Sequence, residues 1–105
     1  MTDAITSKTA AELAGDFRDG TLSASEIVDA HLDRIEALNP ELNAFLYIDA
    51  DRARRRAADL DAVRVAGNEA GALAGVPIGL KDLLCTEGIP TTAGSRILKG
   101  WRPPY

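Results

Sequence analysis

The chain is predicted to take an α/β fold, and three features of its 105 residues carry that expectation. Two helix-start signatures, Thr9 with Glu12 and Ser23 with Glu26, each precede apolar residues at three- and four-residue spacing. An unbroken run, Ala44-Phe45-Leu46-Tyr47-Ile48, is too short for a helix and rich in aromatic and branched side chains, as a buried strand is. A strict alternation follows in Gly75-Val76-Pro77-Ile78-Gly79-Leu80-Lys81-Asp82, the period of an extended chain.

In chain order, the first two signatures predict a helical hairpin over 7–39. Leu13, Ala14 and Phe17 share one face of its first helix, and Gly20 is the expected stop. Ile27, Val28, His31, Ile35 and Leu38 line the second helix, which should end at Asn39-Pro40 because the residue before proline avoids helical dihedrals. The strand 44–48 comes next. Asp49 can cap a helix over 50–64, with Ala53, Ala57 and Leu60 turned inward. A loop rich in Gly and Ala leads to a second strand within the segment 73–98. No internal repeat is visible. The 105 residues read as at most one domain.

Composition excludes several classes. No apolar run approaches the roughly 18 residues that span a bilayer, and the start is not a basic segment followed by an apolar one. The one cysteine, Cys85, cannot form an internal disulfide, so a reducing cytoplasm is expected, with the thiol buried and inert. Residues 1–50 hold ten acidic and three basic side chains, and residues 51–105 hold six acidic and nine basic, giving the net −4. An acidic first half disfavours nucleic-acid binding there, because phosphate contacts need Lys and Arg. The cluster Arg52, Arg54, Arg55 and Arg56 is interleaved with acids at helical spacing and reads as a solvated, ion-paired face. His31 lacks a ligand at i+4, where Ile35 stands, and takes no metal role.

The alternating segment carries the chemistry. Val76, Ile78 and Leu80 form an expected core face, while Pro77, Gly79 and Lys81 point the other way across a nearly bare surface. A lysine among apolar neighbours can be desolvated, which disfavours its ammonium form and frees an amine for general-base work. The alternative is a strand-end lysine paired with Asp82 or Glu87, and alternation alone leaves both readings standing. Downstream, Gly88 to Ser95 is a run of small, hydroxylated and turn-forming residues able to approach a ligand through backbone. Ser95 invites a dyad with Lys81, but a turn or cap serine is the simpler reading.

Two stretches, Leu73-Ala74-Gly75-Val76-Pro77-Ile78-Gly79-Leu80-Lys81-Asp82 and Thr86-Glu87-Gly88-Ile89-Pro90-Thr91-Thr92-Ala93-Gly94-Ser95, closely resemble the lysine-bearing motif of the amidase signature family. Leu22 to Val28, Arg34 to Pro40 and Leu42 to Phe45 look like that family's N-terminal helices and first strand. The resemblance implies a mixed β-sheet core covered by helices, of which residues 1–105 are the N-terminal part of a single amidase domain. It also implies a Ser–cis-Ser–Lys triad in which Lys81 is the lysine. Both triad serines belong to a Gly- and Ser-rich segment further along, and no such pattern occurs in residues 1–105. The chain therefore reads as truncated, inactive alone and marginally stable.

Within the family, the run Ile97 to Tyr105 is most similar to members that hydrolyse glutamine inside a heterotrimer. In those, the resemblance implies, ammonia passes to a B subunit that uses ATP to amidate a glutamyl group on a mischarged tRNA. A small C subunit joins the two. This chain itself would hold no cofactor and no metal, and would meet tRNA only through the B subunit. A stand-alone amidase acting on small amides is the alternative within the family. A non-catalytic binding or scaffold domain is the alternative outside it.

Overall fold

Thr9 and Ser23 both begin helices, and by the same device. In the computed structural model, which describes residues 2–105, each is an N-cap in extended backbone whose hydroxyl accepts from the N–H three residues on. Glu12 and Glu26 reach back to the cap N–H groups at 2.7 and 2.8 Å, completing two capping boxes. The elements are α1 (Thr2–Thr6), α2 (Ala10–Asp19), α3 (Ala24–Leu42), α4 (Ala50–Val65) and a 3-10 helix at Arg96–Leu98. The short α1 has no counterpart in the expected order. Gly20 closes α2 in the left-handed region at φ 79°.

Helix α3 runs three residues beyond the expected stop. Pro40 lies inside its last turn, and the helix closes at Asn43, whose backbone is left-handed at φ 48° and whose N–H bonds Asn39 O at 2.7 Å. A proline there removes one helical bond at an end that is already fraying, a smaller loss than in mid-helix.

The expected strands are absent. No strand occurs among the described residues, so neither 44–48 nor 76–80 is one, and the α/β expectation is corrected to helices plus irregular chain over this length. The reason is physical. A helix satisfies its backbone from within, whereas a strand needs a neighbour for its N–H and C=O groups. Neither run finds one here.

The chain divides into two compact units. The first holds the described residues up to Ala44 together with Ala50–Pro77. Its core is Leu13 and Phe17 from α2, Ala24 and Ile27 from α3, and Ala57 from α4, with Ile27 fully buried. Leu60, Ala74 and Val76 pack around them. Helix α3 lies against both α1 and α4. Asp61 of α4 accepts from Ala24 N at 2.7 Å, Ser25 N at 3.1 Å and Ser25 Oγ at 2.7 Å, holding the α3 N-terminus from its neighbour.

The second unit comprises Phe45–Asp49 and Ile78–Tyr105. In it, 88–91 and 101–103 run antiparallel, joined by Gly88 N to Pro103 O at 3.4 Å and Thr91 N to Trp101 O at 3.2 Å. Thr91 and Pro103 are buried. The Arg102 guanidinium donates to Gly88 O and stands 5.8 Å from the centre of the Tyr47 ring.

Candidate functional site

Lys81 lies in the second unit and opens a turn, with Leu84 N donating to Lys81 O at 3.0 Å. Its side chain is exposed rather than desolvated, and among the described residues it joins no ion pair. The expected core face is open as well. Ile78 is 81% exposed and Leu80 52%, while Val76, in the first unit, packs on that unit's core. Nor is the space beside Gly79 bare. A Cβ built there would lie 3.4 Å from the Phe45 ring. Alternation correctly separates the faces of an extended chain, but it buries neither face without a sheet to pack against.

Asp82 does not pair with Lys81. Its carboxylate accepts from the N–H and hydroxyl of Thr92, the former at 2.8 Å, and from Gly94 N at 3.5 Å. Its own carbonyl accepts from Ala93 N at 2.9 Å. The Thr92 hydroxyl, followed by the Thr92 N–H, holds the Asp82 carboxyl below its ordinary range. These bonds tie the lysine's immediate neighbour to a loop ten to twelve residues away. Both Ala93 and Gly94 adopt positive φ, 50° and 71°, a conformation an alanine rarely takes without support. The clamp has no signature in the sequence. Adjacency offers Asp82 only as a possible partner for Lys81, and a contact of this separation leaves no periodic trace.

The other candidates resolve simply. Ser95 caps the 3-10 helix, its Oγ accepting from Ile97 N at 3.2 Å. Cys85 is exposed, not buried as expected. His31 is half-buried, its Nδ1 2.7 Å from Ile27 O one turn back. No group of three or more His, Cys, Asp or Glu residues that could hold a metal occurs among the described residues. No helix of the described residues is long and apolar enough to cross a membrane. Arg54 of the basic cluster pairs with Asp29 of α3 at 2.9 Å.

Comparison with known proteins gives this geometry its context. The A subunit of glutamyl-tRNA(Gln) amidotransferase from Salinispora arenicola (strain CNS-205) is 57% identical over all 105 residues, which correspond to 21% of its length. The protein of the same name from Acidothermus cellulolyticus is 53% identical over 98 residues, 93% of this chain and 19% of its own. The chain thus spans about a fifth of the curated relatives it matches. Among solved structures, it matches a chain of an inhibitor-bound vestigial protein complex described as revealing the evolutionary origins of an s-triazine catabolic enzyme. That match has a TM-score of 0.86 and 32% identity, over 91% of this chain and 21% of the other. The Amidase family model matches residues 26–105, lysine segment included, and the chain belongs to that family.

Proposed function

We propose that this chain carries the catalytic lysine of a glutamine-hydrolysing A subunit in a tRNA-dependent amidotransferase. One observation supports the reading above others: 57% identity to the A subunit of a glutamyl-tRNA(Gln) amidotransferase, sustained over every residue of the chain. In this reading Lys81 takes a proton through a bridging cis-serine from a nucleophilic serine. Both serines lie outside these residues. The serine attacks the glutamine side-chain amide, and ammonia leaves as the acyl-enzyme forms. A B subunit, joined through a C subunit, uses ammonia and ATP to convert Glu-tRNA(Gln), Asp-tRNA(Asn) or both to the amidated form. The chain itself binds no cofactor, and the assembly works in the cytoplasm.

The same reading accounts for the open apolar faces. In the complete enzyme, 44–48 and 76–80 join a mixed β-sheet, and the same packing withdraws Lys81 from water. A desolvated lysine is the one suited to act as a base near neutral pH.

The test uses the full-length protein co-expressed with B and C partners. Lys81→Ala should abolish glutamine hydrolysis and glutamine-dependent tRNA amidation, while amidation supplied with free ammonia persists. Retained ammonia-dependent activity shows that the assembly is intact. Near-normal glutamine hydrolysis in that variant would overturn the base assignment. A full-length chain that takes no partners and hydrolyses simple amides alone would replace this reading with the stand-alone amidase. A 105-residue chain that unfolds cooperatively as a monomer would favour the scaffold domain.

A further inference from the structure

The clamp beside Lys81 has more in it than a loop needs. An exposed lysine with no ion partner is fixed only through its backbone, since its own side chain keeps most of its rotamer freedom. That backbone is held next door. Asp82 uses both carboxylate oxygens and its carbonyl on three consecutive residues, Thr92, Ala93 and Gly94. The Thr92 hydroxyl acts twice, donating to Asp82 and accepting from Gly94 N at 3.2 Å. Charge-assisted bonds to a carboxylate are the stronger kind, and several converging ones fix direction as well as distance. Their convergence also supports the positive φ of Ala93, which would otherwise relax toward ordinary dihedrals.

We propose that Asp82 is a positioning residue for the amide-hydrolysing reaction: by anchoring to Thr92–Gly94 it sets the backbone from which Lys81 projects toward the bridging serine. The proposal rests on the reading of Lys81 as the triad base. Asp82 touches neither substrate nor the reacting atoms. Thr92 and Gly94, rather than Lys81, take up the Asp82 carboxylate. Thr92 is the other half of the device.

The experiment uses full-length protein in its assembly and follows glutamine hydrolysis. Asp82→Ala and Thr92→Val should each lower kcat, by roughly 10- to 100-fold for Asp82→Ala, the scale of an angstrom's misplacement, and less for Thr92→Val. KM for glutamine should stay within about twofold, and the pH–rate profile should shift. Thr92→Ser keeps the hydroxyl and should recover most of the turnover that Thr92→Val loses. A simple structural role would instead lower the active fraction, leaving kcat per active site and the pH profile unchanged, and that result overturns the proposal. Should Asp82→Ala fail to assemble, Thr92→Val decides alone: unchanged kcat and pH profile overturn it. Lys81→Ala is run alongside. If Lys81→Ala is active, the base assignment has failed; if Lys81→Ala is dead while Asp82→Ala matches the unaltered enzyme in kcat, KM and pH profile, only the positioning role has.

Discussion

Asp61 shows at the scale of one residue how the helical unit is locked. The first N–H groups of a helix lack internal partners, and here a carboxylate from another helix supplies them at Ala24 and Ser25. Partial burial opposes ionisation. The Ser25 hydroxyl, the two backbone N–H groups and nearby Arg64 outweigh it, so the Asp61 carboxyl sits below its ordinary value of 3.8. A depressed acid contributes stability above its unfolded-state pKa, and that contribution disappears as pH falls through the lower folded-state value. Asp61→Asn should therefore destabilise the full-length protein by about 1–2 kcal/mol at neutral pH, the range for losing a helix cap. The gap between the two proteins should narrow as pH falls below about 4. Urea unfolding at pH 7 and pH 3 measures it, and a pH-independent difference would refute the electrostatic account.

At the scale of elements, what is legible in the sequence follows from how far each signal reaches. Thr9 with Glu12 and Ser23 with Glu26 are complete within four residues, and both capping boxes form as expected. The Gly20 stop does too. The strands expected at 44–48 and 76–80 do not form, because an apolar run says that a segment will be covered but not by what. The Asp82–Thr92 clamp, and the antiparallel stretch of 88–91 on 101–103, depend on contacts that local patterns do not encode. Gly75 is a further long-range case. A Cβ there would stand 2.8 Å from Phe17 Cγ, on backbone at φ 84°, so the chain can cross the face of α2 only without a side chain. Gly75→Ala should cost about 3 kcal/mol, combining left-handed strain with a displaced core ring. Gly67→Ala has the same handedness, φ 80°, and nothing within 4 Å, so it should cost only about 1 kcal/mol. Equal losses in a denaturant titration would remove the Phe17 contact from the explanation.

At the scale of the whole molecule, the two units differ in what they bury. The helical unit encloses Leu13, Phe17 and Ile27 at 4% exposure or less. The second unit leaves Leu46 at 65%, Ile78 at 81%, Leu83 at 54% and Ile97 at 92%. Scattered apolar residues are ordinary on a surface, and the helical unit has its own at Leu42, Val65 and Leu73, but the buried hydrophobic core among the described residues lies wholly in that unit. Leu46 falls in the apolar run and Ile78 in the alternating segment that were expected to be strands. The relatives run on for about four-fifths of their length outside the match, and in the reading proposed above that part of the enzyme is the cover. The expected outcome is a difference between two preparations. Alone, the 105 residues should bind a hydrophobic dye such as ANS and self-associate at micromolar concentration, with the amides of Ile78 and Leu80 exchanging almost freely while those of Ile27 and Ala57 stay protected. In the full-length protein the Ile78 and Leu80 amides should slow by about two orders of magnitude or more, as paired strand amides do, and dye binding should vanish. Fast exchange at Ile78 and Leu80 in the full-length protein would show that the segment stays irregular even when complete. A strand at 76–80 would then have to be abandoned as the support of Lys81, leaving the Asp82 clamp as its anchor.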